Sequence, residues 1–177
     1  PRIVTERDDI YGGPIPIDEA LERIATAYEP YHAALRRSLQ RLHARFGRGV
    51  ILDCHSMPSS QRIGGSEGRV AMVLGARPGK RCPPALAGFA AGLLRDAGYR
   101  VALNKPYAGG HVTEAYGRPE RGLEALQIEI SRALYLNEAT ITRTTGFATL
   151  AHDFTRFIDR LIGGFATLYG DLRQAAE

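Results

Sequence analysis

Apolar positions recur along the chain with two different periods, and the changes of period mark its elements. Over residues 17–46 they fall at Ile17, Leu21, Ile24, Tyr28, Leu35, Leu39, Leu42 and Phe46, the spacing of one helix face. Pro30 lacks the amide hydrogen that a helix interior requires, so it is expected to kink or break this helix, and Gly47 is a fitting stop. Residues 49–54 (GVILDC) form a continuous apolar run, partly β-branched and bounded by Gly49 and Pro58, which predicts a short buried strand. Further strands are predicted at 69–74, 99–103 and 123–130, and a helix over about 84–96 that ends near Gly98. A last helix spans about 147–174, where Phe154, Phe157, Ile158, Leu161, Ile162, Phe165 and Leu168 form a core-packing stripe. Alternating strands and helices imply an α/β fold, a three-layer sandwich with a mostly parallel or mixed central sheet and helices on both faces. Repeats, low-complexity tracts and linkers are absent from the sequence, so residues 1–177 are expected to form one domain.

Three predicted strand ends carry chemistry. The first strand runs out at Asp53-Cys54-His55-Ser56, and ligands of open α/β sheets collect beyond the carboxyl ends of strands. A histidine there can ligate a metal, act as a base or donate to an oxyanion; it can equally serve as a strand-end hydrogen-bonding residue. The second end is Asn104-Lys105-Pro106-Tyr107-Ala108-Gly109-Gly110-His111, whose glycine pair permits close backbone approach and presents His111 on a loop. The third, Ala125-Leu126-Gln127-Ile128-Glu129-Ile130, embeds a carboxylate among apolar residues. Such a carboxylate must be paired, metal-bound or neutralised, and a buried salt bridge to Arg132 is the structural alternative to a catalytic role. Asp53 is expected to point to the face opposite His55, leaving it a structural hydrogen bond unless the strand end twists.

Read in order, these segments resemble the N-formylglutamate amidohydrolase family. The carriers are Pro30-Tyr31-His32, Phe46-Gly47, Asp53-Cys54-His55-Ser56, Gly109-Gly110-His111-Val112-Thr113, Tyr116-Gly117, Gln127-Ile128-Glu129 and Arg132-Ala133-Leu134-Tyr135. A single GGH is weak, but the ordered set covers most of the chain. The resemblance implies a zinc-dependent hydrolase that releases formate from N-formyl-L-glutamate late in histidine breakdown. It also implies a more remote likeness to carboxypeptidase-A-type zinc enzymes, with His55 as a metal ligand and Glu129 as general base. Tyr107 or His111 would then orient the substrate or polarise its carbonyl. Zinc in such sites has three protein ligands and an open position for water, whose pKa it lowers. The remaining ligands are expected upstream of Pro1, in a family segment this sequence lacks. His32 and His43 lie eleven residues apart on one helix, poor geometry for one ion, and His152 sits in the late amphipathic helix.

Charge adds a substrate argument. Lys and Arg total 23 against 19 Asp and Glu, a net +4, and nearly all the cations are arginine. Arg36, Arg37, Arg41, Arg45 and Arg48 cluster near the end of the first helical region. Without interleaved aromatics they read as a solvated helix face rather than a nucleic-acid surface. Arginine also suits the carboxylates of a glutamate-type substrate through bidentate hydrogen bonds. Arg62, Arg77 and Arg132, with Ser56, are the substrate-binding candidates by position.

The expected partner is a small N-acyl amino acid; no nucleic-acid or membrane partner is expected, and the sequence leaves the oligomeric state open. No apolar run approaches the ~20 residues of a membrane span. Cys54 and Cys82 have the spacing of neither a zinc knuckle nor a disulfide scaffold, so both are expected to be free thiols in a reducing, cytoplasmic setting. Two departures soften the substrate assignment: Ala76 stands where the family often has an acid, and Ser131 where asparagine is common. The alternatives are a zinc carboxypeptidase or amidase acting on peptides, and a metal-free binding protein on the same scaffold.

Overall fold

The computed structural model describes residues 11–59 and 71–170. The chain divides into two compact units, Pro1–Arg41 and Leu42–Glu177. The first contains α1 (Ile17–Arg23), a π-helical turn (Ile24–Tyr28) and most of α2 (Glu29–Phe46). Pro30 leaves the helix unbroken. It stands at the second position of α2, and the turn before it widens, with the Glu29 amide donating to the Ile24 carbonyl. A wider turn accommodates a proline ring and its missing donor without ending the helix. Gly47, at φ 65°, stops α2 as expected, its amide donating to the His43 carbonyl at 2.8 Å.

The second unit is built on a four-stranded sheet. Its strands are β1 (Gly49–Met57), β2 (Met72–Gly75), β3 (Val101–Leu103) and β4 (Leu123–Ser131), in the order β1-β4-β2-β3. β1 pairs with β4 and β2 with β3 in parallel, while β2 and β4 are antiparallel, so the sheet is mixed. Its helices are α3 (Pro84–Asp96), α4 (His111–Tyr116), α5 (Gly146–Gly163) and α6 (Phe165–Tyr169), with a two-stranded ribbon of β5 (Leu136–Asn137) and β6 (Thr142–Arg143) before α5.

Alternation along β4 sorts its side chains. Leu126 and Ile128 enter the core with Leu86, Ala90 and Leu94 of α3 and Phe157 and Leu161 of α5. Ala125, Gln127, Glu129 and Ser131 face the other way. α4 lies against β4 and β1 on that side, which gives helices on both faces of the sheet. At about 25 cal/mol per Å² of buried apolar surface, these fully buried leucines and aromatics supply most of the driving force for this layer.

Three boundaries differ from expectation. The third strand starts at Val101 rather than Tyr99, because the Tyr99 amide is spent on the Leu94 carbonyl in the turn leaving α3. β2 begins at Met72, and residues 69–70 of that expected strand lie outside the described residues. The final helix is two: α5 ends at Gly163, and at Gly164 a Cβ would collide with the Phe89 ring. The expected residues 171–174 of it are likewise outside the described set.

Candidate active site

Parallel pairing brings the expected residues together. In the β1–β4 register His55 is the direct partner of Glu129, and Asp53 of Gln127, so the four side chains rise from the same face near the carboxyl ends of both strands. Asp53 and His55 are two residues apart, and strand alternation returns such a pair to one side. The expectation of opposite faces is corrected by the contact itself, His55 Nε2 to Asp53 Oδ1 at 3.1 Å. The other carboxylate oxygen, Asp53 Oδ2, is buried without a hydrogen-bond partner among the described residues. The His55 side chain remains 48% exposed, and a recess of about 240 Å³ lined by Ile130, Tyr135, Phe147 and Phe154 opens beside it.

Glu129 is 6% exposed. The salt bridge to Arg132 considered as its structural role does not form. Its Oε1 instead accepts a hydrogen bond from Gln127 Nε2 at 2.5 Å, and Gln127 Oε1 accepts one from the Gly110 amide. That amide belongs to the loop between β3 and α4, which is tightly seated. Asn104, at φ 60°, accepts from the Ala76 amide at 2.8 Å, and the Arg77 amide donates to the Ala108 carbonyl at 2.7 Å. Gly109 takes φ 119°, and a Cβ on Gly75 would stand 2.5 Å from its nitrogen, so β2 and the loop need glycine at both positions.

Tyr107 rides on this loop. Burial, and then the charge of Glu129, push its phenol above the ordinary range, while Arg132 pulls the other way, so both charged groups lie within electrostatic reach. Raised in that direction, the phenol keeps its proton at neutral pH and can donate. His111 is not a loop residue as expected: it is the first residue of α4, directly after the Gly110 cap, and is exposed.

The substrate candidates are scattered more widely. Arg132 Nε donates to Ser56 Oγ at 3.3 Å, which joins two of them at the strand ends. Arg77, at φ 45°, pairs through Nη2 with Glu114 Oε2 at 3.0 Å. Arg62 lies outside the described residues. Arg36, Arg37, Arg41 and Arg45 are exposed, as a solvated helix face requires. Arg48 is not part of that face, because it pairs with the buried Glu124 and stacks on Tyr169 at 3.9 Å.

Gln127, Asp53 and Glu124 are the residues that the sequence reading missed or misplaced. The period-two pattern over 125–130 already placed Gln127 on the Glu129 side, but it gave no indication of a partner for the amide.

The fit to zinc is incomplete. An imidazole held by a carboxylate is a familiar metal-ligand arrangement. Among the described residues, however, no three His, Cys, Asp or Glu side chains are grouped to hold an ion. Neither His32, whose ring meets Tyr28 at a tilt and Tyr31 edge-on, nor His43, whose Nε2 lies 3.0 Å from the Arg121 carbonyl oxygen, adds to the set.

A mixed α/β sheet bearing an Asp–His pair and a buried Gln–Glu pair at the carboxyl ends of parallel strands defines the class: an α/β protein with a polar carboxylate–imidazole cluster at its strand ends. A model of the N-formylglutamate amidohydrolase family matches residues 1–136, and the chain belongs to that family. The N-formylglutamate deformylase of Pseudomonas aeruginosa is 35% identical over 123 residues, 68% of this chain and 46% of that protein. Its namesake from Pseudomonas putida is 34% identical over 122 residues, again 68% and 46%. The crystal structure of N-formylglutamate amidohydrolase from Ralstonia eutropha JMP134 superposes with a TM-score of 0.78 at 39% identity, covering 86% of this chain and 56% of that one. The chain thus spans about half the length of the relatives it matches.

Proposed function

We propose that this chain carries the acid–base half of an N-formylglutamate deformylase site, which hydrolyses the formyl C–N bond to give formate and glutamate. The observation that carries the reading is the pairing of His55 with Glu129 across adjacent parallel strands, beside the Gln127 tie from Glu129 to the loop that carries Tyr107. Glu129 takes a proton from the attacking water as its oxygen bonds to the formyl carbon. It returns that proton to the nitrogen as the C–N bond breaks, so one carboxylate serves as base and then as acid. The protonated Tyr107 phenol donates to the oxygen that becomes negative in the tetrahedral intermediate. Arg132, which donates to Ser56 Oγ, is the first candidate to bind a substrate carboxylate, and Arg77 a second once its exposed pairing with Glu114 exchanges for substrate.

Zinc is part of the proposal, with His55 as the ligand this chain contributes; when bound it would polarise the carbonyl and acidify the water. We place the enzyme in the cytoplasm and in histidine degradation on the strength of the family and of its two free thiols. No described helix is long and apolar enough to cross a membrane.

Two substitutions in the full chain test the reading. Glu129→Gln is expected to lower deformylase turnover on the order of 10²–10⁴-fold while zinc content and melting temperature stay near wild type. His55→Ala is expected to lose zinc and activity together with the fold intact. Retained stoichiometric zinc in His55→Ala removes the ligand assignment, and undiminished turnover in Glu129→Gln removes the base.

A further inference from the structure

We infer that Gln127 is a positioning residue, one whose single buried amide sets both the Glu129 carboxylate and the loop that carries Tyr107. The inference rests on the reading of Glu129 as the base.

The amide has only one orientation available. Gly110 N–H can only donate, so the side-chain oxygen of Gln127 must face it. The NH₂ group is thereby turned towards Glu129, where it meets Oε1 at 2.5 Å. An NH₂ donor requires an acceptor opposite it. The arrangement therefore holds Glu129 with Oε1 occupied and leaves Oε2 as the oxygen free to take a proton from water. Gln127 is 4% exposed, so water does not compete for either hydrogen bond. The loop end is equally constrained: a Cβ on Gly110 would lie 3.0 Å from Gln127 Oε1, and one on Gly109 would lie 3.1 Å from Thr113 Cγ2. The strand residue two before the base and the loop three residues after Tyr107 are thus tied to each other through one side chain. Without that tie the carboxylate can rotate, and the loop loses its register against β4.

The two halves of the amide are separable by substitution. Gln127→Glu keeps an acceptor for the Gly110 amide but replaces the donor to Glu129 by a like charge. Gln127→Met keeps the volume and removes both hydrogen bonds. With N-formylglutamate as substrate, Gln127→Glu is expected to lower kcat on the order of 10–100-fold with KM nearly unchanged, as when the partner that orients an active-site group is lost. Gln127→Met is expected to lower kcat by at least as much and to raise KM as well, because the loop is released. The decisive preparation is the double variant Gln127→Glu with Glu129→Gln, which keeps an acceptor for the Gly110 amide and so leaves the loop tied. A residue that acts through Glu129 adds no further loss of kcat once Glu129 is already disabled. A full multiplicative loss in the double variant, or wild-type kcat in Gln127→Glu, overturns the positioning role while leaving the base intact. Wild-type turnover in Glu129→Gln alone overturns the base, and the positioning role with it. Melting curves of each variant separate these outcomes from loss of fold.

Discussion

Glu124 is the most buried charge on the sheet, at 1% exposure, and replacing it tests how the amino end of β4 is held. One carboxylate oxygen accepts from Arg48 and the other from the Tyr169 hydroxyl, while the Arg48 guanidinium lies 3.9 Å from the Tyr169 ring centroid. The group therefore ties the chain entering β1 and the last described helix to one strand. Glu124→Gln keeps the shape and one acceptor but removes the charge, which leaves Arg48 facing a neutral amide. Breaking a fully buried pair costs roughly 3–5 kcal/mol. The Arg48 side chain is 28% exposed and recovers some hydration, so the expected cost is about 2–3 kcal/mol. For a chain of this size that is a fall in Tm of about 5–10 °C. Urea unfolding followed by circular dichroism should show a lower midpoint at an unchanged slope. Arg48→Met should cost about as much, and the pair Arg48→Met with Glu124→Leu clearly less than the sum of the single variants. The proposed deformylase activity should hold at temperatures where the variants remain folded, since Glu124 is at the end of β4 away from Glu129. A Glu124→Gln cost under about 0.5 kcal/mol, or strictly additive single variants, would refute the reasoning.

Three further outcomes are expected. Gly75→Ala should lower activity about 10–100-fold and cost about 1–3 kcal/mol, because the new methyl drives into the Gly109 backbone; full activity in a steady-state assay would show the loop to be free of β2. Ellman's reagent should titrate one thiol in the native protein, the exposed Cys54, and both in denaturant, with the burial-raised pKa of Cys54 making its reaction slow near neutral pH and faster as pH rises; rapid native reaction of two thiols would contradict the buried position of Cys82. Burial pushes the Cys82 thiol up to about 12, and burial with the Asp153 partner pushes the Tyr99 phenol up to about 12. Both groups hold their protons more tightly folded than unfolded, so their stabilisation is complete below the ordinary values of 9.0 and 10.0 and drains away as pH rises towards 12. Melting temperature should therefore fall across that window and fall less in Tyr99→Phe; a flat alkaline profile would refute it.

Periodicity along the chain was enough to locate the four sheet strands and the long helices, though not α4 or the β5–β6 ribbon, because a strand or an amphipathic helix must repeat its apolar positions to reach a core. It put β1, α3, β4 and the α5 stripe within a few residues of their places, and the ordered motifs named the family. It also put a histidine and a glutamate at strand ends. What it could not supply was register. Only the parallel alignment of β1 with β4 sets His55 opposite Glu129 and Asp53 opposite Gln127, and a shift of one residue would have sent either partner to the core side. Partners were likewise decided in three dimensions. Glu129 took a glutamine two residues away rather than Arg132, the partner weighed as its structural alternative, and Arg48 left its helical cluster for a buried acid from a strand 76 residues further along. The helix running past Pro30 and the break at Gly164 follow the same rule. Proline was absorbed by a local widening of the helix, while glycine was required by a distant phenylalanine ring. Local pattern records which groups must be buried; which of them meet depends on contacts between segments far apart in the chain, and those exist only once the sheet has formed.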